Sequence, residues 1–235
     1  MKVIGKELGT TLVEMYGEIE QRLKTEAVRD LKVVSFEGAS FSDIQWGDTE
    51  VVVSLHNGVP TRALNHILGI ALQHIRQRLD RYPAVVRGRT DVEGGALVRS
   101  ALRELVMSPE AEQQVAPLKI DVTWELKQRH EGLKQLLRDA PEDWNDAGSI
   151  GHAFAALQYA RFTIEHPEEL WEGLRDQFRK DLPAAAMTGD ELVALVAEHG
   201  WKTPGACIES LVTVRDALGL QGFVAIEDRR NGKIL

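Results

Sequence analysis

Cysteine is nearly absent: Cys207 is the only one in 235 residues. A lone thiol cannot close an internal disulfide, so a cross-linked scaffold is excluded. No stretch of about 18 uncharged apolar residues is present, so no bilayer-spanning helix is expected. The opening Met1-Lys2-Val3-Ile4-Gly5-Lys6-Glu7 has neither a long apolar run nor a small-residue cleavage site. No secretory signal is therefore expected, no membrane partner, and the cytoplasm is the expected compartment. The phosphate-binding glycine loop is also missing, because Gly94-Gly95 has neither the lysine nor the spacing. Ser108 and Ser149 lack the surroundings of a nucleophile elbow. There is no fixed-period repeat and no low-complexity tract.

What is present describes an acidic globular chain. Lys plus Arg number 28 against 36 Asp plus Glu, a net charge of −8. Such a surface repels phosphate backbones and argues against a nucleic-acid partner. Apolar residues make up 43% of the chain, enough for a sizeable core. Cys207 reads as a small apolar helix residue. A reactive thiolate needs a basic neighbourhood, and the nearest bases along the chain are Lys202 and Arg215.

Leu8, Leu12, Met15, Ile19 and Leu23 recur at three- and four-residue steps and predict an opening helix. The period then shortens. Leu31–Phe36 and Glu50–Leu55 read as strands rich in β-branched residues, with Ile44–Trp46 as a short strand between them. Pro60 opens a long helix that runs to about Arg81 and stops before Pro83. Arg87–Gly95, with its glycines and charges, reads as an exposed loop and the place for a boundary. Further helices are predicted at Ala96–Met107, Thr123–Arg138, Ser149–Glu165, Glu168–Arg179, Gly189–His199 and Gly205–Leu218. Asn231-Gly232 between Phe223–Ile226 and Lys233–Leu235 predicts a terminal hairpin. The expected class is α+β: a small N-terminal sheet packed on a long helix, followed by a mostly helical C-terminal array. The expected division is 1–90 and 91–235.

One segment carries a chemical pattern. Asn65-His66-Ile67-Leu68-Gly69-Ile70-Ala71-Leu72-Gln73-His74 follows the strand ending at Leu55 almost directly. Two histidines four residues apart on a helix reach one zinc ion, and a glutamate beside the first activates the bound water. Here Ile70 stands at the first ligand position, Ala71 at the base, and His74 at the second ligand. His66 and His74 lie eight residues apart, roughly 12 Å along a helix, too far to share an ion unaided.

In its order of elements and its retained His74, this region resembles a zincin-like metallopeptidase with a degenerate His-Glu-x-x-His helix. The resemblance covers about residues 31–108. It implies Glu104, on a later helix, as the match for a third ligand. It further implies a cleft lined by His66, Ile70, Ala71, His74 and Glu104, with hydrolysis lost. Leu64, Leu68, Ala71, Leu72, Ile75 and Leu79 equally describe an amphipathic core helix with a histidine on its flank.

The leading functional expectation is a catalytically inactive protein that binds an unidentified protein, peptide or ligand and needs no cofactor. A second is a metal-dependent hydrolase using zinc at His74 and Glu104. A third is a DNA-binding regulator. The last two helices and the hairpin have the order of a winged helix-turn-helix, with Arg215, Arg229, Arg230 and Lys233 as its cations. A plain helical hairpin accounts for the same residues.

Overall fold

The computed structural model describes residues 1–38 and 40–235. Strands β1 (Lys2–Val3) and β2 (Lys6–Glu7) form a small hairpin, and helix α1 spans Thr10–Arg22. Strands β3 (Asp30–Phe36), β4 (Ser42–Trp46) and β5 (Glu50–His56) precede helix α2 (Thr61–Leu79). Strand β6 (Ala84–Arg87) leads to α3 (Gly95–Val115), α4 (Thr123–Arg138), α5 (Ile150–Glu165), α6 (Glu168–Asp181), α7 (Pro183–His199) and α8 (Pro204–Ala217). Strands β7 (Val224–Asp228) and β8 (Lys233–Ile234) end the chain. The protein is α+β, with small sheets and a mostly helical C-terminal region. No helix among the described residues is long and apolar enough to cross a membrane.

The chain folds as two compact units, and both draw on separated stretches of sequence. Residues 1–80 and 111–127 make the first; residues 81–110 and 128–235 make the second. In the first, β5 is the central strand, parallel to β3 and antiparallel to β4. Val51, Val53 and Leu55 alternate inward and are fully buried, as the two-residue strand period requires. They share a core with Leu12 and Ile19 of α1 and with Leu64, Leu68, Leu72 and Ile75 of α2. Pro60 occupies the position just before the first residue of α2, with extended backbone and no side-chain capping bond. At about 25 cal/mol per Å² of apolar surface removed from water, this stripe of α2 side chains is what holds the helix on the sheet.

In the second unit, β7 lies between β6 and β8, antiparallel to both. The expected terminal hairpin thus belongs to a three-stranded sheet. Its extra member, β6, begins just after Pro83, beside the stretch read as a loop. Val224 and Ile226 join Leu102, Leu105, Val106, Leu157, Leu211 and Val214 in one core. A second cluster gathers Tyr159, Trp171 and Phe178.

One helix departs from its predicted length. The sequence predicts an end near Met107, yet the helix continues through Pro109 to Val115. An internal proline forfeits one backbone hydrogen bond and costs about 3 kcal/mol. Leu105, Val106 and Ala111 are fully buried, and Met107 and Val115 nearly so; this burial on both sides of the proline outweighs the loss.

Gly189 of α7 sits where a Cβ would come within 2.5 Å of Tyr159 Cδ1 and 3.0 Å of the Ala156 carbonyl oxygen. Tyr159 has no room to retreat: it is fully buried, and its hydroxyl donates to Asp190. Gly189→Ala should therefore cost about 1–3 kcal/mol by overpacking. Gly173, on α6, has open space at its Cβ position, and Gly173→Ala should stabilise by about 0.5–1 kcal/mol. Denaturant unfolding of both variants checks the pair; equal effects of the same sign contradict this packing.

Candidate metal centre

His66 lies on α2, three residues before Gly69. A Cβ at Gly69 would stand 3.5 Å from Leu12 and 3.6 Å from Val115. Both are ordinary van der Waals distances, and they place the end of α3 against this turn of α2. Glu112 is three residues before Val115, so the two three-residue steps run together, and the Glu112 carboxylate reaches His66 Nε2 at 2.8 Å. After α3 the chain turns through residues 116–118 and Lys119, whose φ is +52°. It enters α4 with the Asp121 carboxylate accepting from the Thr123 backbone N–H at 2.9 Å. That backbone hydrogen bond holds the Asp121 carboxyl below the usual range, as expected where a helix exposes unpaired N–H groups. Trp124 packs its ring on Phe41, with centroids 5.1 Å apart. The next residue, Glu125, is carried inward to His66 Nδ1 at 2.5 Å.

Both edges of one imidazole thus meet a carboxylate. The side chains of His66 and Glu125 are 3% and 8% exposed, and that of Glu112 is 28% exposed. Burial works against a charged ring, but the hydrogen bonds and charges of Glu112 and Glu125 outweigh it and push the imidazole up to about 9. The ring is an imidazolium at neutral pH. One nitrogen and two carboxylate oxygens, one from each residue, lie within 4.8 Å of one another. These are ligand types that borderline divalent metals accept.

The residues singled out from sequence take other places. Ile70 is half-buried, Ala71 is buried, and neither offers a donor atom. His74 shares its Nδ1 with Gln77 Oε1 at 2.8 Å, on its own helix. Glu104 belongs to the second compact unit, where it accepts from Ser100 Oγ at 3.2 Å and pairs with Arg161. Of the five cleft candidates, only His66 joins the metal-capable group found among the described residues. Glu112 and Glu125 were missed because neither has a sequence spacing to His66 that signals a site.

Of the four cations proposed to meet DNA, Arg215 is 7% exposed and donates to the Leu235 carbonyl at 2.7 Å. Arg230 makes two bonds of 2.8 Å to Asp228, and Arg229 lies 3.7 Å from Glu227. Lys233 is exposed. Cys207 is a core residue: burial, with the nearby Glu110 charge, pushes its thiol up to about 12.

A second histidine pair has the opposite character. His130 and His166 stack with centroids 5.7 Å apart and planes 8° from parallel. Their buried atoms Nδ1 and Nε2, respectively, have no hydrogen-bond partner. Burial, then the charges of His130, Arg129 and Arg161, bring His166 down to about 4. His130 is also lowered, by burial and Lys134.

The two sites load pH dependence with opposite signs. In the metal-free protein, the His66 contribution to stability is complete below about pH 6.5 and lost as pH rises through about 9. The fold keeps His166 neutral, so stability is lost there as pH falls from 6.5 towards about 4. In denaturant unfolding across pH, His66→Gln should flatten only the alkaline limb and His166→Gln only the acid limb. An alkaline limb identical in wild type and His66→Gln contradicts the charged ring. No family model, curated protein or solved structure matches the chain, so geometry alone carries the functional argument.

Proposed function

We propose that this chain is a non-catalytic binding protein whose His66–Glu112–Glu125 centre takes up one divalent transition-metal cation. The observation that carries this reading is the convergence of three ligand atoms from three separate segments, two of the residues buried, within 4.8 Å. The ligand chemistry supports it: two carboxylates offer anionic oxygens to a cation beside an imidazole nitrogen. The imidazole nitrogen favours zinc, cobalt or nickel over calcium or magnesium, which prefer all-oxygen sites.

Binding without catalysis follows from the groups present. Both carboxylates are engaged with the ring, leaving neither in the position of a general base. The α2 turn at Ile70 and Ala71 has nothing that coordinates an ion or moves a proton. The likeness of the β5–α2 segment to a silent zincin fits the same reading, and rests on the order of strand and helix with the retained His74.

Titration calorimetry on chelator-stripped protein tests the proposal. One zinc, cobalt or nickel ion per chain is expected, with no response to calcium or magnesium. His66→Gln should weaken binding at least about tenfold, as loss of one ligand implies, while His74→Gln leaves it unchanged. Ion at about one hundred times its Kd should stabilise the fold by about 2.7 kcal/mol. Absence of binding, or equal binding by His66→Gln, overturns the reading.

A further inference from the structure

The two edges of the His66 ring are not equivalent, and the difference says where an ion sits. We infer that the ion binds at Nε2 with Glu112 as its second protein ligand, while Glu125 stays outside the coordination shell as a positioning residue. This assignment rests on the metal reading above and sharpens it. The in-plane lone-pair directions of an imidazole's two nitrogens point to opposite sides of the ring, so one ion meets only one of them.

The Nδ1 edge is closed. Glu125 approaches it to 2.5 Å, and the side chains on both sides of that contact are at most 8% exposed. An ion with only two protein ligands completes its shell with water, and this edge offers water no path. At the Nε2 edge the Glu112 side chain is 28% exposed, so the carboxylate on that side reaches solvent. Two ligands at about 2.1 Å in tetrahedral geometry stand about 3.4 Å apart. The observed separation is 2.8 Å, so admitting the ion needs the two ligand atoms to part by about 0.6 Å. Glu125 holds the proton on Nδ1. It thereby fixes the tautomer that presents a bare Nε2, the arrangement in which a carboxylate behind a histidine orients it and raises its basicity.

The test is nuclear magnetic resonance of the full chain, with isotope-labelled histidine ring nitrogens and a spin-active cadmium isotope as probe. The His66→Gln spectrum assigns the ring. Metal–nitrogen coupling is expected at His66 Nε2, with Nδ1 still bearing its proton. Glu112→Gln should weaken cadmium binding at least about tenfold, as removal of a direct ligand does. Glu125→Gln should keep the coupling at Nε2 when saturated, but weaken binding about 10- to 100-fold. Coupling at Nδ1, or undiminished binding by Glu112→Gln, overturns the assignment and leaves the metal reading standing. Wild-type protein that binds no cadmium overturns the assignment, and wild-type protein that binds no zinc either overturns both. The wild-type spectrum decides the edge even where a variant fails to fold.

Discussion

A charged ring stripped of water inside a protein survives only where opposite charge and hydrogen bonds replace the lost hydration. His66 meets that constraint with two carboxylates. They come from positions 46 and 59 residues further along the chain. The geometry of the first compact unit around α2 follows from bringing them there. The return stretch, residues 111–127, must leave α3, turn at Lys119 and enter α4 with both glutamates facing one helix. Each carboxylate satisfies a different nitrogen of the ring, so removing either leaves one ring N–H without its hydrogen bond.

Three local features make the set reachable. Val115, at the end of α3, packs beside Gly69 of α2, in step with the Glu112–His66 bond. Pro109 does not stop α3, because buried side chains before and after it sustain the helix. Trp124, lying on Phe41, places the first turn of α4 so that Glu125 is carried inward. The same set that holds a proton has the composition to hold a metal ion. In the proposed centre proton and cation compete for one ring, and the asymmetry of its two edges is the basis for separating a binding from an orienting carboxylate.

Much of the fold was legible because its cause is local. The three- and four-residue apolar steps of α1 and α2 mark helices, and the β-branched run Val51–Val53 marks a strand. Each pattern reports a face that must leave water. Strand β6 was not legible: Ala84–Arg87 is short and becomes a strand only by pairing with β7, well over a hundred residues away. The length of α3 was misjudged for a related reason. Proline's local cost is visible in a sequence, whereas the tertiary burial that offsets it is not.

The candidate site divides along the same line. The sequence by itself determined that α2 is amphipathic and carries histidines, that no internal disulfide forms, and that the turn at Ile70 and Ala71 lacks donor atoms. It also drew attention to His74 and Glu104. Only the tertiary structure decided that His66 is the histidine with two carboxylates, and that His74 and Glu104 have partners of their own. The physical reason is that periodicity encodes which face of an element is buried, not which distant segment covers it. A ligand set assembled from three such segments has no spacing for a sequence to show.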